Sequence, residues 1–198
     1  MNIGIIGTGQ VATTLASRWR AAGHTLTLGS RTPGAEAGTR PVADTVRDNE
    51  VLVNATPGSV SLDALGAVEP ATYAGKVLID VANAVTPSFE LKYPNDSLGE
   101  KIQKALPRAR VVKTMNTAAM TVLTEPRSLG PSSVFLSGDD DTAKATVAGL
   151  LRDLGWSDDG IVDLGGITTA RGVESYFLLF AALMRSTGGP FNIRVVTA

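Results

Sequence analysis

The chain has 198 residues, of which 43% are hydrophobic and 19% charged, so it can build a core and is not low-complexity disorder. Its 18 Lys and Arg against 19 Asp and Glu leave a net charge of −1, which offers no basic field to nucleic acid or anionic lipid. With no cysteine and a single histidine, His24, the sequence excludes disulfides, thiolate metal sites, a cysteine nucleophile and a multi-histidine centre.

Residues 2–6 (NIGII) read as a strand. Residues 10–22 read as a helix whose Val11, Leu15, Trp19 and Ala22 share a face, and Gly23 ends it. A second strand is expected over 25–28, a loop or frayed helix over 32–38, and a short helix over 43–48. Strands over 51–55 and 77–81 enclose a helix over 61–68. A long loop with Pro87 and Pro94 follows, over 83–96. Ser97 and Glu100 are spaced as a capping box for a helix over 97–106. Strands are expected over 111–113, 134–137 and 161–164. An amphipathic helix over 139–154 opens on acids, and a long helix over 168–185 precedes an extended piece over 193–196. Continuously apolar strands alternating with helices predict an α/β fold, a doubly wound and mainly parallel sheet with a C-terminal helical extension. The apolar run starts at Ile3 with no basic segment before it, and the longest strongly apolar stretch, 176–184, is too short to span a bilayer. A cytoplasmic protein without membrane contact is the expectation.

The strongest motif is Gly7-Thr8-Gly9-Gln10-Val11-Ala12, a G-x-G-x-x-A that follows a strand and opens a helix. Gly7 permits the turn, Gly9 lets backbone approach a pyrophosphate, and Ala12 allows close packing. The helix start supplies free N–H groups and a positive dipole end. At the end of strand two stands Leu28-Gly29-Ser30-Arg31, where an NAD site would carry an acid. Ser30 and Arg31 instead suit a 2′-phosphate and favour NADP. Glu36, further into the loop, is discounted as a ribose ligand. Three more strand ends carry polar turns: Ala55, Thr56 and Pro57; Ala82 and Asn83; and Lys113 through Asn116 and Thr117. Lys113 and Asn116 are the groups expected to reach a reacting ring. The Asp139–Asp141 run is read as helix-capping rather than metal-binding, and His24 as structural. The all-apolar stretch 176–184 must be covered, which predicts a homodimer.

These residues together resemble the coenzyme F420-dependent NADP oxidoreductase family over nearly the whole chain. The carriers are the glycine loop, Gly29-Ser30-Arg31, Val112-Lys113-Thr114-Met115-Asn116-Thr117, Gly138-Asp139-Asp140, and Ala170-Arg171-Gly172-Val173-Glu174. The resemblance implies an NADP(H)-binding Rossmann domain over 1–166, with the helix and tail over 167–198 packed on it and in a dimer interface. It implies that Gly7, Thr8, Gly9, Gln10 and Val11 hold the pyrophosphate, and Ser30 and Arg31 the 2′-phosphate. It puts a deazaflavin, coenzyme F420, against the nicotinamide near Asn116 and Thr117. Asn116 stands where the archaeal deazaflavin enzymes of this type carry a histidine, so the small-molecule electron acceptor stays open between a deazaflavin, a flavin and another oxidant. Hydride transfer between two rings needs little acid–base machinery, so no catalytic side chain and no metal are assigned. The alternatives are an NADP(H)-binding sensor without turnover, a small imine or keto reductase, and a reductase module separated from its partner domain, as in metalloreductases.

Overall fold

The structure is a computed structural model that describes residues 1–34 and 38–197. Glu36, and with it part of the expected 32–38 loop, lies outside the described residues. Six strands form one parallel sheet: β1 (Asn2–Ile6), β2 (Thr25–Ser30), β3 (Thr39–Pro41), β4 (Val51–Asn54), β5 (Val77–Asp80) and β6 (Arg110–Lys113). Their spatial order is β3-β2-β1-β4-β5-β6. A parallel pair, β7 (Val134–Leu136) and β8 (Ile161–Asp163), adjoins the end of β6 through an antiparallel bridge between Lys113 and Ser137. The sheet is the expected doubly wound one.

The central strands β1, β4 and β5 are apolar on both faces, as strands covered by helices on both faces are. Alternate residues divide between two cores. Ile3, Ile5, Val53, Ile79 and Val112 pack under α1 (Gln10–Ala21) and α6 (Asp141–Asp153). Ile6, Leu52, Leu78 and Val111 pack under α2 (Val42–Asp48), α3 (Ser61–Gly66) and α4 (Leu98–Ala105). Both indoles find acceptors: Trp19 and Trp156 donate to the carbonyls of Leu150 and Leu123 at 3.1 and 2.9 Å. On the second face α2 lies close to the sheet. A Cβ at Gly4 would stand 2.9 Å from Thr45 Cγ2 and 3.0 Å from the Thr45 carbonyl oxygen.

Two elements escaped the sequence reading: β3, three residues with Pro41 on an edge where no ladder donor is needed, and the short α5 (Met120–Thr124). Ser97 does cap α4, accepting the Glu100 N–H at 3.0 Å and donating its hydroxyl to the Glu100 carboxylate at 2.9 Å. The N–H of Ser97 goes to Asp96 Oδ1 instead, so the box is shared with a third residue. In the acidic run, Asp140 caps α6 through the Ala143 N–H at 2.7 Å, while Asp139 holds the Ile167 N–H at 2.8 Å. His24 sits between the Met1 amine and Asp153, at 3.1 and 3.0 Å. The extended piece 193–196 forms no strand, although Ile193 accepts the Ser133 N–H at 2.8 Å.

The last helix, α7 (Ala170–Thr187), is entered through a 3-10 turn at Ile167–Thr169 and ends at Gly188, whose φ is 66°. Expected to be covered on most sides, it is not covered within its own chain. Only Ala170, Val173 and Glu174 are buried, and Leu178 and Leu179 are 49% and 54% exposed. No helix among the described residues is long and apolar enough to cross a membrane.

The packing of α2 makes a paired prediction. Gly4→Ala should lower stability in chemical denaturation by ~1–3 kcal/mol, because Thr45 backbone must shift. Gly149→Ala, inside α6 where a Cβ meets nothing within 4 Å, should raise it by about 0.5–1 kcal/mol.

Candidate functional site

The chain reverses direction across the sheet at β1, which has β2 on one side and β4 on the other. The crevice above such a reversal is where open α/β sheets accept ligands. Gly7 makes the turn out of β1 with a φ of 122°, and a Cβ there would fall 2.7 Å from the Ala55 carbonyl oxygen. Its N–H is fixed to the Gly29 carbonyl at 3.0 Å. Gly9 is the N-cap of α1, and no side chain caps that end. A Cβ at Gly9 would meet no protein atom within 4 Å. The start of α1 therefore presents open N–H groups and the positive end of its dipole to a space that one methyl group would begin to fill.

That space is a cavity of about 810 Å³. Its walls come from four strand ends: Gly7 to Val11 after β1, Ser30 to Thr32 after β2, Ala55 to Gly58 after β4, and Val81 to Asn83 after β5. Arg31 is exposed and makes no ion pair with the described residues. It is also the only ionisable side chain among the described wall residues. Ser30 Oγ already accepts the Thr32 N–H at 3.1 Å and keeps its own proton to donate. A second hollow of about 610 Å³ joins the first at Ser30 and Arg31 and runs between Pro41, Val42 and Ala64.

The far wall rests on a buried polar network. Thr56 donates to Asn54 Oδ1 at 2.6 Å and meets Ser61 Oγ at 2.9 Å. Asn54 in turn donates to Asp80 Oδ1 at 2.8 Å. Asp80 Oδ1 also takes the Ala82 N–H at 3.2 Å, and Asp80 Oδ2 takes the Lys113 ammonium at 2.9 Å. Lys113 further donates to the Ala82 carbonyl and pairs with Glu174 Oε1 at 3.2 Å. Glu174 accepts the N–H groups of Leu98 and Gly99, at 2.8 and 3.1 Å, in the first turn of α4. Burial pushes the Glu174 carboxyl above its usual range, while the Lys113 charge and the Leu98 N–H pull it back.

The cavity thus gathers Gly7, Thr8, Gly9, Gln10, Val11, Ser30, Arg31, Ala55, Thr56, Pro57, Ala82 and Asn83. Asn116 and Thr117 are not wall residues. Asn116 stands behind Asn83, donating to Asn83 Oδ1 and to the Val173 carbonyl, both at 3.0 Å. Its Oδ1 and the hydroxyl of Thr117 are buried without a hydrogen-bond partner. Lys113 corrects the sequence reading outright: it is fully buried and held by three oxygens, so it does not reach into the cavity. Asn54, Asp80 and Glu174 were given no role by the sequence reading. The available signal was two neighbouring apolar strands, VLID and RVVK, ending in opposite charges, with one acid early in an apolar helix.

The family model described as NADP oxidoreductase, coenzyme F420-dependent, matches residues 2–84. The crystal structure of a candidate F420-dependent NADP reductase from Arthrobacter sp. FB24 is 38% identical, with a TM-score of 0.94 and 100% of both chains covered. The metalloreductase STEAP3 of Rattus norvegicus is 31% identical over 183 residues, which are 87% of this chain and 36% of that protein. The chain spans 36% to 40% of the length of the curated metalloreductases it matches. A reductive aminase from Aspergillus terreus, solved with NADPH and ethyl levulinate, shares the fold at a TM-score of 0.70 over 94% of this chain and 62% of that one, with 20% identity. The glycine loop, the cavity at the sheet reversal and the match over the whole of both chains come together in one conclusion: the chain belongs to the coenzyme F420-dependent NADP oxidoreductase family, a family of NADP-dependent oxidoreductases.

Proposed function

We propose that the protein is a reductase that binds NADP(H) in the cavity and exchanges hydride with a planar redox ring, a deazaflavin or flavin. The residues present fit the nucleotide. The open N–H groups at Gly9 and the start of α1 take the pyrophosphate. Arg31 and the Ser30 hydroxyl take the 2′-phosphate. Thr56, held by Asn54, and the Ala82–Asn83 corner, held by Asp80 and Lys113, line the opposite end. When bound, the reduced nicotinamide supplies the hydride.

The observation that carries the choice of acceptor class is the wall itself. Apart from Arg31 it holds no ionisable group among the described residues. Reduction of a ketone or imine calls for a proton donor at the reacting atom, whereas hydride transfer between two stacked rings is chiefly a matter of orientation. NADPH-loaded protein mixed anaerobically with deazaflavin, flavin mononucleotide or a quinone should lose its reduced-nicotinamide absorbance with one of the first two. Tight NADPH binding with no oxidation by any of them would support a sensor in place of a reductase.

The apolar face of α7 supports a second copy as partner. Phe191 of the tail folds back on Phe180 with ring centroids 5.4 Å apart, and Val195 and Val196 are exposed beyond it. A two-fold axis would set this face against its own equivalent. Sedimentation should give a dimer, and Leu179→Glu should yield a monomer that still binds NADPH.

Two substitutions test the nucleotide assignment. Gly9→Val should abolish NADPH binding with the melting temperature unchanged, since the added side chain enters the cavity and meets no protein atom nearby. Arg31→Ala removes a charge-assisted contact worth about 1.5–3 kcal/mol and should raise the NADPH dissociation constant roughly ten- to hundredfold. NADH binding should hardly change, because NADH has no phosphate there to lose. Equal losses for both nucleotides would contradict the assignment.

A further inference from the structure

Three ionisable side chains are sealed together behind the Ala82–Asn83 wall. Asp80 and Lys113 are fully buried and Glu174 is 5% exposed. They comprise two carboxylates and one ammonium. Lys113 can neutralise only one of the acids; the remaining negative charge is stabilised by the two N–H groups at the start of α4. Burial and the Asp80 carboxylate work against the charge on Glu174 and raise its carboxyl above the usual range, while Lys113 and those donors work for it. The cluster touches the cavity wall directly, since Ala82 donates its N–H to Asp80 and its carbonyl accepts from Lys113. Nothing in the proposed hydride transfer calls for an ionised acid at this point in the sheet, and buried charge without a role is costly.

We infer that the Asp80–Lys113–Glu174 cluster is an electrostatic element that favours the oxidised form of the nicotinamide nucleotide, with Glu174 as the residue that sets the excess charge. This rests on the reading that the cavity holds NADP(H). The two redox forms differ in charge at one place: loss of a hydride, a proton with two electrons, leaves the ring positive. A fixed negative excess behind the wall stabilises that positive ring and does nothing for the neutral one. The pocket therefore makes NADPH a stronger hydride donor than it is in water, without any side chain touching the transferred hydride. Glu174 is in this sense a positioning residue for charge and not a catalytic one.

The test is the ratio of two dissociation constants, for NADP⁺ and NADPH, measured by calorimetric titration on unmodified protein and on Glu174→Gln. Removing one unit of that charge should shift the ratio on the order of tenfold against NADP⁺. Glu174→Asp, which keeps the charge, should hold the ratio within about twofold of the original. If Glu174→Gln does not fold, Asp80→Asn removes the other carboxylate and should shift the ratio in the same direction. Equal weakening of both nucleotides, or an unchanged ratio in a folded variant, would overturn the inference and leave the cluster a structural clamp, while NADPH binding itself still stood. Failure of unmodified protein to bind either nucleotide would overturn the functional reading, and this inference with it.

Discussion

A lysine ammonium with no access to water fixes much of the carboxyl edge of this sheet. Lys113 is fully buried, and each oxygen around it comes from a different part of the chain: Asp80 from β5, the Ala82 carbonyl from the turn after β5, and Glu174 from α7. Removing one partner of a buried ion pair costs about 3–5 kcal/mol, because the other is left unanswered. The three anchors are therefore held together. Through Asp80 the constraint passes to Asn54, Ser61 and Thr56, so one polar line runs beneath the ends of β4, β5 and β6. Through Glu174 it passes to the first turn of α4.

The cavity above has two kinds of wall as a result. On the β1 side the wall is backbone at the turn at Gly7, the uncapped start of α1 at Gly9 and Gly29 packed against Thr45, with the side chains of Ser30 and Arg31 beside them. On the β5 side the backbone also faces inward, but it is aimed by the buried side chains behind it. Gly58 completes this wall, since a Cβ there would fall 2.3 Å from the Asn83 carbonyl oxygen, and the loops after β4 and β5 touch backbone to backbone. Both walls are thus preorganised, and among the described residues Arg31 is their one ionisable side chain. The Asp80, Lys113 and Glu174 charges lie under the surface, behind the wall and not in it.

What the sequence revealed follows from what is local. The turn from β1 into α1 is legible because its strand, glycines and helix are consecutive, and the buried strands are legible because they are apolar without interruption. Ser97 and Glu100 announce the start of α4 for the same reason. Lys113 misled for a physical cause. A strand-end lysine in isolation reads as a reaching cation, and what makes it buried is an acid from the last helix and another from a neighbouring strand, whose approach only the folded sheet specifies. Asn116 is a related case: its amide nitrogen donates to Asn83 and to Val173 of α7, contacts made across the fold. β3 carries so little pattern in three residues that its pairing with β2 is dictated by the sheet and not by its own sequence.

The exposure of α7 within its own chain follows from how the same charge cluster attaches it. An ordinary surface helix turns its apolar stripe inward and its polar face to water. α7 is attached through its first turns instead, by Ala170 and Val173 in the core, by the Glu174 carboxylate, and by the Val173 carbonyl that Asn116 holds. Past that anchor, Leu178 and Leu179 stand about half exposed. Burying such a side chain fully yields about 1.5–3 kcal/mol, so this outer half lowers its free energy only when something covers it. Because the inner and outer halves belong to one continuous helix, the half-exposed leucines and the carboxylate behind the cavity wall sit on the same element. The stretch that the sequence marks for cover by a second copy is, within this chain, the half-exposed outer part of a helix anchored at Ala170, Val173 and Glu174.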